Sequence, residues 1–422
     1  MPYRASYLPK LVTVLREGYS VVNLRADALA GLTVAIVALP LSMAIAIASH
    51  APPAAGIYAS IIGGFLVSAL GGSRYQIGGP AGAFIVLVAS IIDSYGMDGL
   101  LLASIMAGAM MLVAGVLRLG SLVRLVPHAV IVGFSSGIAV IIFASQVKEL
   151  LGITLAETVP GGLFNKFVAL WRASGTINPL ALMVSVLAIL VILAVRKLRP
   201  TLPAFLFAVA GSALLVGMGG LDVATIGTRF GGIPNNLPMP RLPAFDMAKL
   251  YSLLPSAFSL FLLGSIESLL SAVVADNMKG RQHRSNAELL AQGVANLVTP
   301  LFGGITVTGT IARTATNVRA GAQGPMAGML HSSFLLLFML VAAPLASFVP
   351  LAALAAILVV VSWNMFERSE VVRLLGRRDT GAVLMVTFLL TVSVDLLTGI
   401  AAGLAMSGAM SLFNRSSDVS DS

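Results

Sequence analysis

Apolar residues along this chain come in long blocks, each followed by a short polar connection, with no strand-like alternation. The first block runs from Ala28 to Ser49 and is interrupted only by Pro40. About 20 apolar residues in a helix cross the roughly 30 Å hydrocarbon layer of a bilayer. Further blocks fall near 55–72, 98–117, 127–147, 179–195, 201–220, 253–275, 286–302, 325–349, 350–365, 380–394 and 396–413. Two pieces, 80–95 and 309–320, are too short to cross. The pattern predicts an all-α polytopic membrane protein of about 14 segments.

The two short pieces share a shape: an extended polar stretch, a Gly-rich break, then half a helix. The first reads Arg74-Tyr75-Gln76-Ile77-Gly78-Gly79-Pro80-Ala81-Gly82-Ala83-Phe84. The second reads Gly303-Gly304-Ile305-Thr306-Val307-Thr308-Gly309-Thr310-Ile311-Ala312-Arg313. Either Thr308 or Thr310 is placed to cap the second half-helix. Non-helical backbone survives at membrane depth only where protein or a wet cavity surrounds it, so both breaks should face inward. A half-helix starting there aims free N–H groups and the positive end of its dipole at whatever lies in front. The breaks are the third and tenth segments, matching positions in two seven-segment halves, which is the inverted-repeat pattern of secondary transporters.

Composition narrows the picture. Charged residues make up 10% and hydrophobic residues 58% of the chain, with a mean hydropathy of +0.97, against roughly 25% charged in a soluble domain. The net charge of +9 is spread over short loops. With the N-terminus cytoplasmic, Lys and Arg divide 19 inside to six outside, and Arg313 stays in the membrane. That asymmetry follows the positive-inside rule and leaves no basic surface for a nucleic acid. Cysteine is absent and His50, His128, His283 and His331 stand singly, so the sequence gives no metal site, no cofactor site and no Ser/His/Asp grouping for a hydrolase.

Two intramembrane charges are the candidate chemistry. Arg313 lies one turn inside the second half-helix, where a guanidinium can grip an oxyanion; its structural alternative is a bridge to Glu267 or to backbone carbonyls. Glu267, in the middle of the eighth segment, is placed to bind and release a proton; its alternative is a fixed partner of Arg313. Asp395 sits between two apolar runs and reads as a helix cap.

Four stretches carry a family resemblance: GLTVAIVALPLSMAIAIA at 31–48, GGPAGAFIVLVA at 78–89, GSIESLLSA at 264–272 and FGGITVTGTIARTATNVRAGA at 302–322. In these the chain resembles the SulP (sulfate permease) family of anion transporters, whose eukaryotic relatives include pendrin and prestin. The resemblance implies two intertwined inverted repeats, about 28–220 and 253–413, within a transport domain spanning 28–413. It also implies a division into a core domain and a gate domain. A cytoplasmic lead-in (1–27) and a short cytoplasmic tail (414–422) would flank the transport domain, in a bacterial inner membrane, without the STAS domain that usually follows. Carried over by motif, the substrate site comprises Ser42, Gly82, Ala83, Phe84, Thr310, Ile311, Ala312 and Arg313, with Glu267 for ion coupling. The partners expected are a small anion (sulfate, bicarbonate or a dicarboxylate such as fumarate), protons or in their place Na+, lipid and a weak homodimer. A nucleobase permease of the same fold and an uncoupled anion channel or exchanger are the rival readings.

Overall fold

The computed structural model describes residues 7–120, 126–155, 163–200, 202–243 and 247–420. In chain order its helices begin with α1 (Lys10–Arg16) and α2 (Val21–Ala48), followed by α3 (Pro53–Tyr58) and α4 (Gly64–Leu70), which are joined by a π-helical turn at Ala59–Gly63. Next come strand β1 (Gly78–Gly79), α5 (Ile85–Val116), α6 (His128–Leu151), α7 (Leu163–Arg172), α8 (Pro179–Leu198), α9 (Ala204–Gly219) and α10 (Ile226–Phe230). The second half holds α11 (Met247–Lys279), α12 (Ser285–Val298), β2 (Thr308–Gly309), α13 (Ile311–Arg319) and α14 (Met326–Ala346). It closes with α15 (Leu351–Met365), α16 (Arg368–Leu375), α17 (Arg378–Ser393) and α18 (Leu396–Ser420).

Among the described residues eight helical stretches are long and apolar enough to cross a membrane, and Ala204–Gly219 and Leu396–Met410 are shorter apolar helices. How many crossings result depends on how broken helices are tallied, and α5 shows why. Its Gly96 has φ 72°, a left-handed conformation that ends one helix and starts another at the polar stretch between Asp93 and Asp98. The piece before Gly96 is the first half-helix. On the outer face of α8, Leu190 and Leu193 are more than half exposed; lipid solvates such a face at no cost, and water would not.

Packing sorts the helices into two groups. In the first, α5 lies against α11 and α12, α14 against α2 and α4, and α13 against α11. In the second, α15 lies against α6 and α8, α17 against α6 and α18, and α8 against α9. Residues 80–95 and 309–320 both fall in the first group, as do α2 and α11, so the first group positions the site.

Several local features differ from the sequence expectation. The first membrane helix starts at Val21, not Ala28, because Ser20 caps it by accepting from the Asn23 N–H at 3.2 Å. Asp27 thereby falls inside a helix, fully buried, where it accepts from the backbone N–H groups of Gln323 and Gly324 and from the Tyr19 hydroxyl. The lead-in is a strap. The Lys10 N–H donates to Gly71 O at 2.9 Å, Arg284 donates to Leu8 O and Thr13 Oγ1 at 2.8 Å each, and Arg74 pairs with Glu17 at 2.6 Å. Helices α7 and α16 occupy connections read as polar loops. The residues from 414 to 420 continue α18.

Candidate functional site

The two polar breaks meet. β1 and β2 pair antiparallel, Gly78 opposite Gly309 and Gly79 opposite Thr308. A two-residue ladder cannot satisfy all the backbone it exposes, and the remainder is met by side chains. Asn317 Nδ2 donates to Tyr75 O at 2.8 Å, Ser68 Oγ donates to Gln76 O at 3.2 Å, and the Ile77 N–H donates to Thr314 Oγ1 at 3.1 Å. The Thr310 N–H donates to Ile77 O at 3.0 Å. On the other strand the Asn296 amide closes a two-bond ring with the Val307 backbone, at 2.7 and 2.9 Å. Unpaired peptide groups in such a place would cost several kcal/mol each by order of magnitude, so these amides and hydroxyls make the break possible.

Both half-helices start at this crossing. Ala81 is extended, Gly82–Phe84 form a 3-10 turn, and α5 follows. Thr310 is extended and α13 begins at Ile311. Neither threonine caps α13. Thr310 Oγ1 donates toward Ile77 O and Thr308 Oγ1 donates to Gly264 O of α11 at 3.0 Å, so both hydroxyls are engaged elsewhere. Among the described residues, the backbone N–H groups of Gly82, Ala83, Ile311 and Ala312 therefore have no protein acceptor. These are the donors a helix N-terminus offers to an anion.

The nominated residues fall into a front and a back. Ile311 and Ala312 are exposed and Gly82 is half-buried, facing Ile142 and Met365 of the second group. Behind them Ser42, Ala83, Phe84, Thr310 and Arg313 are buried. Phe84 points at α11, where a methyl group placed on Gly264 would lie 3.3 Å from its ring. Arg313, only 2% exposed, donates to Ser60 Oγ at 2.9 Å, Ser42 Oγ at 3.2 Å and Pro80 O at 3.3 Å. A Cβ on Gly79 would collide with its Nη1, so any larger residue there must displace the guanidinium or the strand. Of the two structural alternatives for this residue, the backbone carbonyl is present. No ion pair or hydrogen bond joins Arg313 to Glu267 among the described residues.

Glu267 Oε2 is buried with no partner. A second buried carboxylate, Glu288 on α12, has the opposite surroundings. It accepts from the Gly72 and Ser73 N–H groups at 2.9 and 3.1 Å and from Gln292 Nε2 at 3.1 Å, and Ser268 Oγ lies 3.4 Å away. Ser268 in turn accepts from Gln76 Nε2 at 2.7 Å. Three N–H donors hold the Glu288 carboxyl in place between α12 and the loop at Gly72. Sequence reading passed over Glu288, Ser60, Gln76, Thr314, Asn317 and Asn296. One signal was available: Thr310, Thr314 and Asn317 follow the i, i+4, i+7 spacing that puts three polar groups on one helix face. Asp395 does cap, accepting from the Thr398 N–H at 2.8 Å. A crevice between the two helix groups, lined by Leu87, Phe134, Leu263 and Ile400, is apolar and offers an anion nothing.

Fold and site together define a polytopic membrane protein built around two facing half-helices. Comparison with known proteins gives the family. Residues 24–388 match the sulfate permease family, and the chain belongs to it. YvdB of Bacillus subtilis (strain 168), named as a candidate sulfate transporter, is 45% identical over 392 residues, 92% of this chain and 74% of that protein. The solved transmembrane domain of a cyanobacterial bicarbonate transporter, BicA, superposes with a TM-score of 0.80 at 30% identity, covering 91% of this chain and 98% of that one. The murine Slc26a9 anion transporter in its inward-facing state shares the fold, with a TM-score of 0.87 at 18% identity over 98% of this chain and 72% of that one. The relatives thus support anion transport by a multi-pass membrane protein.

Proposed function

We propose that this protein is a secondary active transporter that carries a small oxyanion across the membrane by alternating access, coupled to protons. One observation carries the reading. Arg313 is a buried cation with no carboxylate partner among the described residues, set behind two half-helix N-termini whose free N–H groups share its sign. An uncompensated buried charge is expensive, and an anion in the gap would supply the missing counter-charge. Sulfate and bicarbonate fit this chemistry, as do dicarboxylates such as fumarate, whose carboxylates present the same acceptors. Selectivity for an anion over an uncharged nucleobase follows from the same charge.

Coupling falls to Glu267. Its buried Oε2 has no donor, so the ionised form is poorly held and a proton there relieves it. Glu288, held by three N–H donors, anchors the crossing instead. Because the paired half-helices belong to the first helix group, that group is the moving core, and the second group is the gate it slides against.

Uptake of radiolabelled sulfate, bicarbonate and fumarate into proteoliposomes, with and without an inward proton gradient, tests the reading. Saturable uptake of at least one anion that rises with the gradient, has its KM raised by at least about tenfold in Arg313→Ala and loses its gradient dependence in Glu267→Gln is the expected result. Gradient-independent uptake in the wild type would replace the symporter by an exchanger or channel.

A further inference from the structure

Ser60 lies outside the residues that the family motif nominates, yet it sits at the centre of the site's buried layer. It is fully buried and belongs to the π-helical turn Ala59–Gly63 that joins α3 to α4. Single π turns inside helices displace one side chain from its regular position, and they concentrate at functional sites. Here the displaced hydroxyl meets three elements. Ser60 Oγ lies 2.8 Å from Ser42 Oγ on α2 and 2.9 Å from Arg313 Nη1 on α13, while a Cβ on Gly79 of β1 would come within 3.0 Å of it. The Ser60 carbonyl accepts from Ser332 Oγ of α14 at 3.0 Å.

Counting protons fixes the direction of every bond. Each hydroxyl has one proton to give. Ser42 gives its proton to Ala38 O at 2.6 Å, so in the pair with Ser60 it must accept, and Ser60 donates. Ser60 then accepts from Arg313 Nη1, and Ser42 also accepts from Arg313 Nη2 at 3.2 Å. Guanidinium, Ser60 and Ser42 close a ring in which each donor has one acceptor, and Pro80 O takes a further Nη2 hydrogen at 3.3 Å. Three of the five guanidinium N–H groups are thus bonded to the protein, and Nε is left without a partner. The ring fixes where the guanidinium charge stands behind the half-helix N-termini.

We propose that Ser60 is a positioning residue for the anion site, holding the Arg313 guanidinium behind the two half-helix N-termini. This rests on the anion-transport reading above. Ser42 alone does not replace it, because Ser42 bonds Nη2, and without Ser60 Nη1 keeps no acceptor to hold it in this orientation. A cation held back in this way favours negative charge more than any one anion shape, which suits a site that accepts both tetrahedral and planar oxyanions.

The test is a coupling cycle on the full chain in proteoliposomes, with sulfate and bicarbonate as probes. Ser60→Ala, Ser60→Thr, Arg313→Gln and the double variant Ser60→Ala/Arg313→Gln are compared for KM and maximal rate, with melting temperature as the folding check. Ser60→Ala is expected to raise KM about tenfold, since hydrogen bonds to charged groups are the strong ones, with less than a twofold change in maximal rate. Ser60→Thr, which keeps the hydroxyl, should stay within about threefold of wild type. In the Arg313→Gln background, adding Ser60→Ala should change nothing further. An unchanged KM in Ser60→Ala, or an equal loss from Ser60→Ala with and without Arg313, overturns the proposal while wild-type uptake upholds the transport reading. Absence of uptake of either anion by the wild type overturns both.

Discussion

Arg313 is the residue on which most of the chemistry turns, and what makes it useful is what it lacks. A guanidinium bonded only to hydroxyls and a carbonyl is solvated well enough to stay folded inside, yet its charge remains unanswered. Replacing Gly79 with Ala tests how tightly that charge is held. The new methyl would collide with Nη1, so the guanidinium or the strand must move. The expected outcome is at least a tenfold rise in KM for the transported anion, corresponding to about 1.4 kcal/mol, in a protein that still elutes as a folded species in detergent. Glu267→Gln makes the complementary case: an amide cannot carry the proton, so substrate binding should persist while accumulation driven by a pH gradient disappears, measured as uptake at matched and unmatched internal pH.

At the scale of elements, the crossing of β1 and β2 depends on amide side chains more than on its two-residue ladder. Asn317→Ala removes the donor to Tyr75 O and leaves a buried carbonyl unpaired, at a cost of about 1–3 kcal/mol. A melting temperature several degrees below wild type is expected, and Asn317→Asp should do no better because it offers Tyr75 O no N–H. The strap formed by α1 has a pH signature of its own. Its hydrogen bond to Arg74 holds the Glu17 carboxyl below its ordinary value of 4.5. A depressed carboxyl pKa contributes stability that is present above 4.5 and fades as pH falls through the lowered value. Glu17 is half exposed, so the contribution is small, roughly 0.2–1 kcal/mol at most. The difference in melting temperature between wild type and Glu17→Gln should therefore be positive at neutral pH and shrink to nothing in acid.

For the whole molecule, the two helix groups meet across an apolar crevice shared by α5, α6, α11 and α18. Transport by relative movement requires that interface to slide. The chain has no cysteine, so pairs can be introduced without a prior cysteine-free variant. Leu87→Cys on α5 with Leu397→Cys on α18, bridged by a short bismaleimide, should stop anion uptake while leaving anion-dependent thermal stabilisation in place; either single variant treated alike should transport normally. Uptake that survives the bridge would count against a moving core and in favour of a channel.

The membrane blocks, the two half-helices and the residues at their tips were legible because they depend on local chemistry: length against bilayer thickness, glycine and proline at a break, a charge where charge is costly. Ser42 and Gly82 were nominated by the family resemblance of their motifs and not by local chemistry. Other features were not. The start of the first span at Val21, with Asp27 buried, depends on the Gln323 and Gly324 N–H groups nearly 300 residues away. Glu288 reads as an ordinary first-turn acid until the loop at Gly72 folds onto it. Thr310 reads as a cap until Ile77 takes its hydroxyl. Sequence by itself determined which segments enter the membrane and where the helices break, since each peptide group there must find a partner nearby or pay the cost of having none. Which partner it found, and therefore which way the Arg313 guanidinium faces and why Ser60 matters, was decided only when α2, the π turn, β1 and α13 were brought together.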